Sequence, residues 1–291
     1  MPVFRTLHAL SEAVIKISEQ TQRRNQLLVA QYLETSLFSN SRYKTDAMLN
    51  RYEQKVFSQN GEDGIIQEIF RRIGTNKKFF VEFGVQDGLE CNTTALIQQG
   101  WKGVWIEGDR EDYRKICENF GPFINHQSLK VSHQFVQPGN FEAILNALSV
   151  PAEFDLLSID IDFNDYWVWK ALKNFKPAAV VIEYNAFYPP PIEFVATYNS
   201  HASHQPSNYF GASLKSLEIL GQEKGYQLVG CDFAGVNAFF VRSDLAKGKF
   251  AEPALAKTFY EPFRPFLYDG RPKGLHPPDA PSTSTTPTYD A

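Results

Sequence analysis

Cysteine is nearly missing from this sequence. Its three copies, Cys91, Cys117 and Cys231, are odd in number and far apart. They form neither a metal-ligand spacing nor a disulfide framework, so a reducing, cytoplasmic compartment is expected. Long apolar runs are missing as well. None approaches the roughly 20 residues that a membrane helix needs, so no membrane span is expected. The opening "MPVFRTLHALSEAVIKISEQ" is broken by Glu12 and Lys16 and does not read as a secretory signal. Without such a signal, the sequon at Asn92 carries no weight. A basic excess is also lacking. The net charge is −4 and the isoelectric point is near 5.9. A nucleic-acid partner needs a clustered basic footprint, and none is seen.

What is present is the composition of a soluble globular chain. It has 291 residues, 43% of them apolar and 21% charged. That length can bury a proper core in one large domain or two small ones. Residues 5 to about 38 read as one long helix. Leu7, Leu10, Val14, Ile17, Thr21 and Leu28 fall on a heptad-like stripe, interrupted by Thr21 and Arg24. This helix is either an appended element that makes a homodimer or a helix folded back on the main domain. Both readings stay open.

From Tyr52 the pattern changes. "GEDGIIQEIFRRIG" predicts a helix ended by Gly74. Strands are predicted at 79–83, 103–107, 129–136, 154–161, 179–184, 226–232 and 236–242. Helices are predicted near 90–99, 110–119, 140–148, 165–174 and 211–224. Alternation of this kind predicts an α/β fold with a doubly wound, mostly parallel sheet. A short loop carrying Gly235 makes the last two strands an antiparallel edge hairpin. Eight of the 17 prolines lie from Pro253 onward, and "PPDAPSTSTTPTYDA" reads as disordered. The expected division is therefore an N-terminal helical extension (1–50), a main domain (51–250) and a proline-rich tail (251–291).

Two apolar runs, "FFVEF" and "GVWIE", each end in a carboxylate. Ligands of open α/β sheets sit beyond the carboxyl ends of the strands. Glu82 ends the first run, and Gly84 lets backbone approach a ligand closely. Asp87 and Gly88 follow. Glu107 ends the second run, where an acid commonly holds the two hydroxyls of a ribose. The dinucleotide fingerprint has three glycines and a pyrophosphate on a helix N-terminus. Here Asp87 would repel that pyrophosphate. A ligand with a ribose and a cationic end fits better, and S-adenosylmethionine has a ribose, an amine and a sulfonium. Glu107 then takes the ribose, while Glu82 and Asp87 suit the methionine end. The competing reading is a turn with capping acids unrelated to any ligand.

The segments "FSQNGEDGIIQEIF", "FVEFGVQDGLECNT" and "GWKGVWIEGD" together resemble the FkbM-type family of S-adenosylmethionine-dependent methyltransferases. The resemblance covers roughly residues 52–245. It implies a class I methyltransferase (Rossmann-like) fold and O-methylation of a sugar, glycan or polyketide hydroxyl. It also implies that Glu82, Gly84, Asp87 and Gly88 form the methionine-end loop and that Glu107 is the ribose acid. Ser58, Gln59 and Glu62 match the segment before the first strand, which is expected to close over the cofactor.

A second acidic group follows in "FDLLSIDIDFNDYWVW" and "PAAVVIEYNAFYPPP". Asp160 and Asp162 are two apart in an extended stretch, so both point to one side. Glu183 and Asn185 repeat that spacing. Hard oxygen ligands of this kind suit Mg²⁺ or a similar cation. A cation would lower the pKa of an acceptor hydroxyl, and Asp162 or Glu183 would take its proton. The arrangement is similar to that of metal-dependent catechol-type O-methyltransferases. The plain alternatives are that Asp160 bonds loop amides and that Asn164 or Asp165 caps the next helix. Phe163 stands where relatives have glycine. Aromatic residues from Tyr166 to Phe210 suit a sugar face or an apolar acceptor, or else only pack against the core. His201 and His204 are loop histidines to which no role is given.

The expected function is methyl transfer from S-adenosylmethionine to a hydroxyl of a small or glycan acceptor. A non-catalytic module that keeps the methyltransferase fold as a scaffold is the alternative. A nicotinamide-dependent oxidoreductase is opposed by the absent glycine fingerprint and by Asp87.

Overall fold

The computed structural model describes residues 2–200 and 207–267. The strands are β1 (Phe79–Phe83), β2 (Lys102–Glu107), β3 (Leu129–His133), β4 (Glu153–Ile159), β5 (Lys176–Glu183), β6 (Tyr226–Cys231) and β7 (Asn237–Arg242). They form one sheet in the order β3-β2-β1-β4-β5-β7-β6. The first five run parallel, and β7 is antiparallel to both β5 and β6. This is the doubly wound, mostly parallel sheet with an antiparallel hairpin that the sequence led us to expect. Tertiary placement adds one thing to the hairpin: β7 is inserted between β5 and β6, so of the two hairpin strands only β6 is at an edge.

Helices cover both faces: α2 (Glu62–Ile73), α3 (Thr94–Gln98), α4 (Arg110–Asn119), α5 (Gly121–Asn125), α6 (Phe141–Ala147), α7 (Asp165–Ala171) and α8 (Leu214–Glu223), while α1 (Pro2–Tyr32) is exposed over residues 10–25. Parallel strands covered on both faces need apolar residues on both. Accordingly, Val81, Phe83, Val104 and Ile106 enter one buried cluster. Their neighbours Phe80 and Trp105 enter the other. That is why the strands read as continuous apolar runs.

Residues 29–48 and 251–267, which the expected division put in the extension and the tail, join the core of the domain. Leu33 and Leu37, just beyond α1, are buried in the main core with Tyr43 and Met48. At the other end, Phe259 and Leu267 enter the same cluster. Buried Glu261 ties the two ends together. It accepts from Tyr43 Oη at 2.7 Å and Arg264 Nη1 at 2.9 Å, and Arg42 lies 3.3 Å away. The domain therefore extends past residue 250 and includes residues before 51. The reading of residues 268–291 as disordered lies outside the described residues.

Candidate functional site

Two cavities open along the carboxyl edge of the sheet. The first has a volume of about 380 Å³. Its wall carries five carboxylates, Glu62, Glu82, Asp87, Glu90 and Asp160, together with Gln59, Asn92 and Asn237. The second, of about 780 Å³, is lined by Glu107 and Asp112, by apolar Ile106, Phe135, Val136 and Ile161, and by Asp162 and Asn164. Gly84, Gln86 and Asp160 line both cavities. The two spaces therefore meet at the end of β1.

Local structure explains why these groups stay put. Glu82 is buried and accepts from Asn92 N–H at 3.0 Å, Thr93 N–H at 3.2 Å and Ser158 Oγ at 3.0 Å. Thr93 Oγ1 also donates to it. Its carboxyl thus anchors the start of α3 to β1 and β4. Burial pushes its pKa up to about 6, against the opposing pull of those donors. Glu107 is held more loosely. Its oxygens accept from Gln86 N–H at 2.9 Å and Asp109 N–H at 2.7 Å. A carboxylate has about four lone-pair positions, so about two remain for a ligand. Burial raises the Glu107 pKa as well.

The glycines are structural as much as functional. Gly84 has φ +69°, and a Cβ there would lie 1.7 Å from the Asp160 carbonyl oxygen. The close approach that the sequence assigned to a ligand is made first by the neighbouring strand end. Gly88, at φ +82°, faces the rings of Phe120 and Trp105. It shapes the turn and does not line either cavity. Asp87 does line the acidic cavity, and its Oδ1 accepts from Leu89 N–H at 3.0 Å.

The segment before β1 divides in a similar way. Gln59 and Glu62 reach the cavity wall. Glu62 is steadied by Asn60 N–H at 2.7 Å and by Asn237 Nδ2 at 2.9 Å. Ser58 is fully buried and donates to Asp63 Oδ2 at 2.7 Å. The same oxygen accepts the N–H groups of Val56, Phe57 and Ser58, each at 2.8 Å. Ser58 is thus corrected from a cofactor contact to a strut of this loop.

The second acidic group is only partly gathered. β4 and β5 are neighbours in register, with Ile159 opposite Ile182, so Asp160 and Glu183 end adjacent strands one position further on. Both are half-buried. Neither carboxyl group has a hydrogen bond to another side chain or backbone group among the described residues. Burial first, then neighbouring carboxylates, push both well above the usual carboxylate range. Asp162 is exposed at φ +64°. Asn185 is fully buried. Its Nδ2 donates to the Asn208 and Phe210 carbonyls, both at 2.9 Å, and its Oδ1 accepts from Phe187 N–H at 3.0 Å. Among the described residues no three Asp, Glu, His or Cys side chains are gathered as a metal site requires. The expected cation held by Asp160, Asp162, Glu183 and Asn185 is therefore not supported. The physical reason is that the Asn185 side chain is committed to its own loop.

Asn164 occupies the position before α7 but bonds sideways to the Asn199 carbonyl at 2.8 Å. Asp165 reaches back to Ile161 N–H at 2.9 Å, and burial pushes its pKa up to about 7. Of the aromatics, Trp169 is core, packed against Phe240 at 4.8 Å. Tyr188 and Phe194 stack at 3.8 Å, and Tyr209 meets Phe194 edge-on at 5.4 Å. His201 and His204 lie outside the described residues.

Sequence reasoning missed Asn237, Gln86 and Phe135. Asn237 starts β7, opposite Glu183. An antiparallel strand begins where its parallel neighbours end, so the predicted hairpin already held that signal. Phe135 follows β3 and sits 2.5 Å from where a Gly108 Cβ would be. No sequence pattern marks that approach.

No family model matches the chain. No curated protein matches it in sequence. Among solved structures, it is similar to a SAM-dependent methyltransferase from Aquifex aeolicus at 10% identity and a TM-score of 0.36, over 60% of this chain and 87% of that one. It is similar to the N-terminal domain of EvdMO1 with SAH bound, at 13% identity and a TM-score of 0.40, over 62% and 79%. It is also similar to the glycopeptide N-methyltransferase MtfA complexed with S-adenosylmethionine, at 11% identity and a TM-score of 0.38, over 62% and 86%. Likeness this distant carries nothing about what this chain does; what the fold itself provides is a sheet edge with two joined cavities.

Proposed function

We propose that this chain is an S-adenosylmethionine-dependent methyltransferase acting on a hydroxyl of a small or glycan acceptor, as the FkbM-type resemblance implies. One observation carries the reading. A cavity walled by five carboxylates joins, past Gly84, a larger cavity in which Glu107 keeps about two free lone-pair positions. An anion would be repelled from the first cavity, and a cation is favoured there. S-adenosylmethionine combines a cationic end, a ribose with two adjacent hydroxyls and a flat apolar base.

Glu107 would accept from the ribose hydroxyls. Asp87, Glu62, Gln59 and Asp160 would face the ammonium and sulfonium groups. The apolar wall of Ile106, Phe135 and Val136 would receive the base. The cofactor supplies an electrophilic methyl group when bound. Glu183 is the group we assign to take the acceptor proton, with Asp162 beside the same edge. Glu82 positions the loop and does not contact the reacting atoms.

Titration calorimetry with S-adenosylhomocysteine and with NAD⁺ tests the cofactor. Binding of the first and not the second is expected, and the reverse would overturn the reading. A radiolabelled methyl-transfer screen over sugars, glycans and polyols then tests the acceptor. Cofactor binding with no transfer to any hydroxyl would favour a scaffold module.

A further inference from the structure

The face of α1 has no use in the site described above. Leu10, Val14, Ile17 and Leu28 are 57%, 64%, 62% and 53% exposed. Together with the sequence positions Val3, Leu7, Thr21 and Arg24, they alternate at spacings of four and three from residue 3 to residue 28. That is the seam of a helix pair, and it runs about 40 Å along the helix axis. The stripe does not fold back on its own domain. Among the described side chains of α1, Val29 is the first in the core, and Tyr32 packs edge-on against Phe266 at 5.2 Å. A lone helix gains little stability in water, and its helicity normally comes from burying its apolar face.

The rest of the chain does not offer a cover. Residues 201–206 and 268–291 contain Tyr268, Leu275 and Tyr289 as their only large apolar residues. Three such residues do not match a seam of seven turns. A membrane surface is also a poor match. α1 sets Glu12 and Glu19 against Arg5, Lys16, Arg23 and Arg24, a net charge of only +2 along the helix, and both acids lie on the face that would meet the headgroups. Ser11, Ala13, Ser18 and Gln20 flank the stripe without charge, so a second helix backbone approaches closely.

We propose that α1 pairs with α1 of a second copy of this chain, in antiparallel orientation, to make a homodimer. Arg24 decides the orientation. In a parallel pair the two Arg24 side chains face each other in the seam, and like charges repel. In an antiparallel pair centred between Val14 and Ile17, each Arg24 lies opposite Leu7 of the second copy. The two main domains then sit at opposite ends and do not collide.

Sedimentation equilibrium of the full chain tests this pairing. A dimer mass is expected. Ile17→Asp is expected to give a monomer whose thermal unfolding is unchanged, while Ile17→Leu keeps the dimer. Leu10→Asp repeats the test at a second exposed position should Ile17→Asp fail to fold. A monomeric wild-type chain overturns the proposal, and so does an Ile17→Asp variant that stays dimeric. Flotation with phosphatidylcholine–phosphatidylserine vesicles addresses the competing occupant: binding of a monomeric chain overturns the pairing in favour of lipid. For orientation, oxidation should cross-link Leu7→Cys chains to Arg24→Cys chains. Efficient cross-linking of Arg24→Cys to itself would reject the antiparallel arrangement.

Discussion

The ends of β1 and β2 carry the same chemistry and use it in opposite ways. Glu82 and Glu107 each close an apolar strand, and both are raised in pKa by burial. Glu82 spends its oxygens on the backbone of Asn92 and Thr93 and on the hydroxyls of Thr93 and Ser158. Glu107 meets two backbone N–H groups and faces a cavity. A strand-end carboxylate is therefore not a ligand group by position alone. What decides is how many donors the fold supplies. The turn leading into α3 aims the N–H groups of Asn92 and Thr93 back at Glu82. After β2, Asp109 serves that purpose for α4, accepting from Glu111 and Asp112 N–H at 2.8 and 3.0 Å. Glu107 is thereby left available.

The sharpest way to break this contrast is Glu82→Ala. It strands buried donors on Asn92, Thr93 and Ser158, and loss of stability on the order of 3–5 kcal/mol is expected. Denaturant unfolding measures it. A loss below that of Glu107→Ala would erase the distinction between the two acids.

Gly84→Ala comes next. Its Cβ would overlap the Asp160 carbonyl, and its φ of +69° disfavours a side chain. A cost of about 2–4 kcal/mol is expected, seen in the same unfolding assay without any ligand. Equal stability with lost S-adenosylhomocysteine binding would instead make Gly84 a ligand-facing glycine only.

Glu107→Ala should act on binding. Loss of charge-assisted hydrogen bonds to two hydroxyls should weaken S-adenosylhomocysteine by about 1.5–3 kcal/mol in calorimetry. Its melting temperature should stay near that of the parent chain. Unchanged affinity in a folded variant would remove the ribose assignment.

The smallest effect is on pH dependence. The Glu82 pKa is raised from 4.5 to about 6 in the folded chain. The stability linked to this raised pKa is fully present below about 4.5 and is lost as pH rises through about 6. The change is about 1–2 kcal/mol across that window. Carbon-detected NMR of the Glu82 carboxyl, beside unfolding at pH 4.5 and 6.5, checks both halves. A Glu82 titration at an ordinary carboxyl pKa would mean that its donors offset burial in full, and would remove the pH dependence.

Much of the fold was legible in the sequence because it is local. The apolar runs of β1, β2, β4 and β5, the glycine ending α2, and the turn between β6 and β7 each announce themselves within a few residues. Strands buried on both faces read as unbroken apolar stretches, and that pattern alone predicts a covered parallel sheet. The sequence also placed Glu82, Asp87 and Glu107 at strand ends, where the sheet geometry makes a site. It could not say which side chains would be spent. Ser58 is consumed by Asp63 and Asn185 by the loop at Asn208 and Phe210, and those partners are set by how the loops return to the sheet edge. Asn237 joins the acidic cavity because β7 is inserted beside β5, more than fifty residues after that strand ends. Glu261 joins the two chain ends for the same reason. Periodicity and turn chemistry act over a few residues, and so the sequence by itself determined the elements, their direction and the acids at their tips. Hydrogen-bond competition among groups far apart in the chain is settled only when the chain closes, and so the tertiary structure alone decided which of those acids remain free to meet a ligand.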